Sequence, residues 1–180
     1  MPAGSSAVDG LEQAVTVADA SGVEAAGDIL VRQEWHLPQP VEAVWHAITH
    51  PGAWWGHPPE IVPGVGGRYV TFHGADGSYR VEDVTLQWEP PILWEHSFWR
   101  DVQPSSTVTW QLRAVASGTH LTLAHRVSVA DTLAATQTVA QGDSVATVVH
   151  RDATGWRRIL ARLEDAMGQA GSGGGRADPV

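Results

Sequence analysis

The chain has no cysteine, which removes disulfides, thiolate nucleophiles and zinc–thiolate sites together. It also has no lysine, since all eleven basic residues are arginine. A guanidinium stays protonated, so Schiff-base chemistry and a lysine general base are excluded. No apolar run reaches the ~18 residues a membrane helix needs. The start of the chain lacks the basic residues and apolar middle of a secretory signal, so a cytoplasmic protein is expected. Base is short overall: the formal net charge of -9 argues against nucleic acid, whose phosphates demand a basic face. What the chain has instead is tryptophan, nine among 180 residues.

That length suits one domain with tails. Residues 1–27 carry acids and no base among Ala, Gly, Ser and Val, and are expected to be a mostly disordered lead-in. Residues 28–168 should form a single folded domain, and the Gly-rich 169–180 a disordered tail. Within the domain, Val145, Val148, Val149, Ala153, Trp156, Ile159, Leu160, Leu163 and Met167 recur at spacings of three and four. This predicts one long amphipathic helix, with Asp143 at its N-cap and Gly168 as its stop. Asp152 falls on the apolar face, three after Val149 and four before Trp156. A carboxylate there needs a buried partner or a wet cavity, because burial without either costs several kcal/mol.

Ahead of that helix the pattern is mostly strand. Ile29, Val31, Gln33, Trp35 and Leu37 alternate with Leu30, Arg32, Glu34 and His36, which predicts a strand with one inward face. Pro40 then opens a short helix marked by Val41, Val44, Trp45 and Ile48, and Pro51-Gly52 closes it. Residues 53–56 read as a further helical turn. Strands are expected over 68–73, 78–88, 92–99, 107–114 and 120–129, with Gly74-Ala75-Asp76-Gly77 as a hairpin turn. The strand over 78–88 reads as bulged, since neither of its alternating sets is cleanly apolar. This is an α+β order, in which a curved sheet round the last helix buries its stripe.

The motifs Pro40-x-x-x-Val44-Trp45-x-x-Ile48-Thr49-x-Pro51, Trp54-Trp55, Val65-Gly66-Gly67-Arg68-Tyr69, Glu89-Pro90-Pro91, Gly118-Thr119-x-Leu121-Thr122-Leu123-x-His125 and Gly155-Trp156-x-x-x-Leu160 resemble a known family in the same order. It is the START-like SRPBCC superfamily, in its subgroup of activator of heat-shock-protein ATPase homologues. The resemblance implies the helix-grip fold, a seven-stranded antiparallel sheet wrapped round the C-terminal helix with a cavity between. It does not imply one activity, because such proteins include lipid carriers, aromatic cyclases, hydrolases and co-chaperones.

Three residues are candidates for acid–base chemistry. His125 shares a strand face with Leu121, Leu123 and Val127, His96 keeps company with Ile92, Trp94 and Phe98, and Asp152 approaches from the helix. An Asp holding an imidazole in one tautomer is the core of many proton-transfer sites. The plainer reading is that these groups satisfy each other. His46 and His50 stand four apart on the short helix, a metal-ligand spacing. They point away from its apolar face, so a solvated pair is expected and no metal or cofactor is implied.

Trp54, Trp55, Trp94, Trp110 and Trp156 are the candidate ligand contacts, because indoles offer flat apolar area to a ring-bearing molecule. For any one of them an ordinary core role is the simpler reading. Arg68, Arg80 and Arg100 could place a cation at a pocket for an acidic ligand, but the simpler reading of each is a solvated strand residue. The expected function is therefore binding of a small hydrophobic or aromatic ligand between sheet and helix. The alternatives are a cofactor-independent cyclase, dehydratase or hydrolase, and a co-chaperone-like protein-binding domain. Monomer and homodimer both stay open.

Overall fold

The computed structural model describes residues 28–100, 106–128 and 145–172. The acidic lead-in, Asp143 and the linker after Val129 lie outside the described residues. In strand β1 (Asp28–Leu37), Val31, Gln33 and Leu37 are buried, as the alternation requires. Helix α1 (Val41–Thr49) follows, and the carbonyl of Pro40 accepts its first N–H groups. Proline lacks an N–H, so it costs nothing at the start of a helix. Val44, Trp45, Ile48 and Thr49 form the buried face, and His50 closes the last turn. A 3-10 turn (Ala53–Trp55) leads to the short strand β2 (Glu60–Ile61).

Strands β3 (Arg68–His73), β4 (Tyr79–Glu89), β5 (Leu93–Ser97), β6 (Thr107–Val115) and β7 (Gly118–Ser128) complete the sheet. Its order is β1-β7-β6-β5-β4-β3-β2, and every pairing is antiparallel. The two edges are consecutive strands, β1 and β2, so α1 and the 3-10 turn bridge the sheet from edge to edge. The expected bulge of β4 lies between Thr85 and Gln87. The sequence also overextends β5. Ile92 belongs to the turn after Glu89 and is half exposed, so it does not share the inward face of His96.

Two glycines hold close approaches. A Cβ on Gly67 would lie 2.0 Å from the carbonyl oxygen of Val62. Gly118, at φ +137°, would place one 2.1 Å from that of Leu37. Only glycine fits such backbone contacts without displacement.

Helix α2 (Val145–Ser172) lies across the concave face. Trp156, Leu160, Leu163 and Met167 are buried against it, each fully buried side chain contributing roughly 1.5–3 kcal/mol. The helix runs on through Gly168 to Ser172. Gly168 does not adopt the positive φ of a C-terminal stop, and Gln169 and Ala170 are compatible with a further turn. A polar tie reinforces the packing, since the Trp35 indole N–H donates to the Glu164 carboxylate at 2.9 Å.

Candidate functional site

The register stacks the inward residues of neighbouring strands. Trp94 lies opposite Trp110, His96 opposite Val108, and Val108 opposite His125. His96 and His125 are both 0% exposed. The ring of Phe98 sits between them, 6.4 Å from His96 and 5.0 Å from His125, centre to centre. From α2, the Trp156 ring approaches Phe98, Trp110 and His125 at 5.2, 5.9 and 5.9 Å. Trp94 and Trp110 stack at 6.4 Å, and Tyr69 packs on both Trp94 and His96.

Each histidine is fixed by an indole. The Trp156 N–H donates to Nδ1 of His125 at 3.2 Å, and the Trp110 N–H donates to Nε2 of His96 at 3.3 Å. An indole nitrogen only donates, so each accepting ring nitrogen carries no proton. His125 therefore holds its proton on Nε2, facing the Ser106 hydroxyl at 2.6 Å. His96 holds its own on Nδ1 and donates to the Ser97 carbonyl at 2.6 Å. Burial drives both pKa values down, from 6.5 to about 4. Protonation would also set two N–H groups head to head. Both imidazoles are neutral polar pieces of the sheet–helix interface at neutral pH.

The five tryptophans expected at the site divide into two groups. Trp94, Trp110 and Trp156 are buried and belong to one cluster with the histidines. Trp54 and Trp55 are half-buried on the 3-10 turn, packed edge to face at 5.3 Å, and Trp55 reaches Trp110 at 6.5 Å. They stand at the rim of the same cluster. Asp152 lies within α2, but its side chain is outside the described residues. His46 and His50 are exposed and stack on each other at 4.3 Å. Among the described residues no group of three or more metal-ligating side chains converges. Arg68 and Arg80 point to solvent, where they pair with Glu60 and Glu82.

One buried charge escaped the sequence reading. Asp83 is 2% exposed and lies opposite Tyr69 in the β3–β4 pairing. Its carboxylate accepts from the Ser97 hydroxyl at 2.9 Å and from the backbone N–H groups of Trp99 and Arg100, both at 3.1 Å. Burial, with Asp83 nearby, pushes the Tyr69 phenol well above its usual pKa. The signal was the inward set Val81, Asp83, Thr85, in which an acid and a hydroxyl precede the bulge.

The family described as "Activator of Hsp90 ATPase homolog 1-like protein" matches residues 38–168. No functionally curated protein matches the sequence. Among solved structures, an AHSA1-like protein from Aeromonas hydrophila is 18% identical, with a TM-score of 0.59, covering 84% of this chain and all (100%) of its own. DynU16, from the dynemicin biosynthetic locus, is 22% identical with a TM-score of 0.59, over 78% of this chain and 48% of its own. CalU16 from Micromonospora echinospora is 24% identical with a TM-score of 0.53, over 76% of this chain and 71% of its own. At these identities the structures share the fold. The profile match over most of the domain, on a seven-stranded sheet closed by a C-terminal helix, places this chain in the AHSA1-like family of the SRPBCC superfamily.

Proposed function

We propose that this protein binds a small, neutral, ring-bearing hydrophobic molecule between the concave face of the sheet and α2. The observation that carries the reading is the cluster of Trp94, Trp110, Trp156 and Phe98 round two histidines. A plain core would fill that place with aliphatic side chains, as it does at Leu121, Leu123 and Leu160. Half-buried Trp54, Trp55 and Phe98 are the surfaces such a ligand would cover, at about 150–250 Å² per aromatic ring.

Proton transfer by Asp152 with His125 or His96 is the weaker reading. A general base needs a free lone pair, and each imidazole already gives its own to an indole. The formation of a protein complex has no specific observation in its favour.

The test is titration with Nile red, a neutral fluorescent ring system. Saturable binding with a raised melting temperature is expected, weakened about tenfold in Trp55→Ala. No saturable binding, together with no small molecule copurifying in native mass spectrometry, would remove the proposal.

A further inference from the structure

At the end of β5 the chain makes an unusual choice. Trp99 adopts φ 55°, the left-handed region, which a non-glycine residue avoids because its Cβ crowds the backbone. Such strain persists only where the surroundings enforce it, and it concentrates at ligand clamps. Here the enforcing group is Asp83, whose buried carboxylate takes the Trp99 and Arg100 N–H groups and the Ser97 hydroxyl. The N–H of Phe98 donates to the Ser106 carbonyl and closes the base of the turn.

The result is that the Trp99 ring folds over the β3–β4 hairpin. Its centre lies 4.9 Å from that of His73, 5.9 Å from Tyr79 and 6.2 Å from Phe98. Its indole N–H is buried there and, among the described residues, has no hydrogen-bond partner. A donor buried without a partner loses its hydration and gains nothing in return. A resident water would need two to four polar partners, and the described ring neighbours of the indole are those of His73, Tyr79 and Phe98. His73 also has its Nε2 engaged with the Thr71 hydroxyl at 2.9 Å.

We infer that Trp99 is a specificity residue of the proposed binding site, its indole N–H donating to a carbonyl oxygen of an aromatic ketone or quinone. The inference rests on the binding proposal and narrows it to one ligand class. An indole only donates, so the matching group is an acceptor. The carboxylate of Asp83 at the Trp99 backbone, within a chain of net charge -9, disfavours an anionic acceptor. Among the neutral acceptors a flat ring can carry, a conjugated carbonyl oxygen is a strong one, and it is the one the test varies. Phe98 links the two regions, since it touches Trp99 on one side and Trp156 and His125 on the other. A fused ring system on Phe98 would thereby present its carbonyl to Trp99.

The test compares 2-methyl-1,4-naphthoquinone with 2-methylnaphthalene, which share a ring skeleton and differ in the carbonyls. The quinone is a usable probe here because the chain offers it neither cysteine nor lysine. Each is titrated against protein with 15N-labelled indoles, and each competes with Nile red. The Trp99 signal is identified by its loss in Trp99→Phe, and the other indole signals report that the variant is folded.

The quinone is expected to bind about tenfold tighter than the hydrocarbon, equivalent to about 1.4 kcal/mol, and to move the Trp99 N–H resonance downfield. Trp99→Phe should reduce that preference to near unity. If both probes displace Nile red equally, or the preference survives in Trp99→Phe, the assignment of Trp99 is wrong while the binding proposal stands. If neither displaces it, the inference falls. If Nile red itself does not bind, the binding proposal falls as well.

Discussion

The concave face has two halves of different chemistry. Over β1 and β7 it meets α2 through Val31, Leu121, Leu123, Leu160 and Leu163, all buried, in a contact that is apolar apart from Gln33 and His125. Over β3, β4, β5 and β6 it carries Tyr69, Thr71, Asp83, Thr85 and His96, also buried, among indoles. The first half uses the hydrophobic effect to hold the helix. The second buries polar groups that would weaken a mere scaffold unless each is hydrogen-bonded. Most of them are: Thr85 accepts from the Trp94 indole at 3.2 Å, His96 from Trp110, and Asp83 caps the turn. Such fixed polarity orients things, which is why function is assigned to this half.

The contrast can be broken from either side. In the apolar half, Leu160→Ala should cost about 2–5 kcal/mol by cavity formation and leave Nile red affinity within about twofold. A denaturant titration beside the dye titration checks both.

The second lever is acid, acting on the imidazoles of His96 in the polar half and of His125 on β7 beside it. His96 and His125 have folded pKa values near 4 against 6.5 unfolded, so the unfolded state takes protons first as pH falls. Their contribution is full above about pH 6.5 and is lost as the pH drops towards 4. The upper bound is on the order of 3 kcal/mol per histidine. Urea midpoints from pH 7.5 to 4 should fall, and His125→Phe should flatten that slope.

The smallest effect belongs to the surface. Arg80→Ala removes a 2.6 Å pair with Glu82, but both partners are exposed, and less than about 0.5 kcal/mol is expected in the same urea assay.

The apolar half was the legible one. The stripe of α2, the alternation of β1 and the proline-bounded α1 follow from periodicity, because a helix or strand face must repeat to be buried. His96 and His125 were also found inward by alternation. Their partners were not, because Trp110, Trp156 and Ser106 come from other elements and meet only through strand register. The bond of Asp83 to the Trp99 turn was hidden for the same reason. No local pattern says that Trp99 takes a left-handed backbone, since the cause is a carboxylate 16 residues earlier in the chain.

The central claim is that the two buried imidazoles are neutral, indole-fixed parts of a binding surface. Nitrogen-15 NMR of the histidine side chains across pH 4 to 8 tests it directly. The account predicts His96 as the Nδ1–H tautomer and His125 as the Nε2–H tautomer, both still neutral at pH 6. Titration of either ring near 6.5, or the opposite tautomer in either, would contradict it.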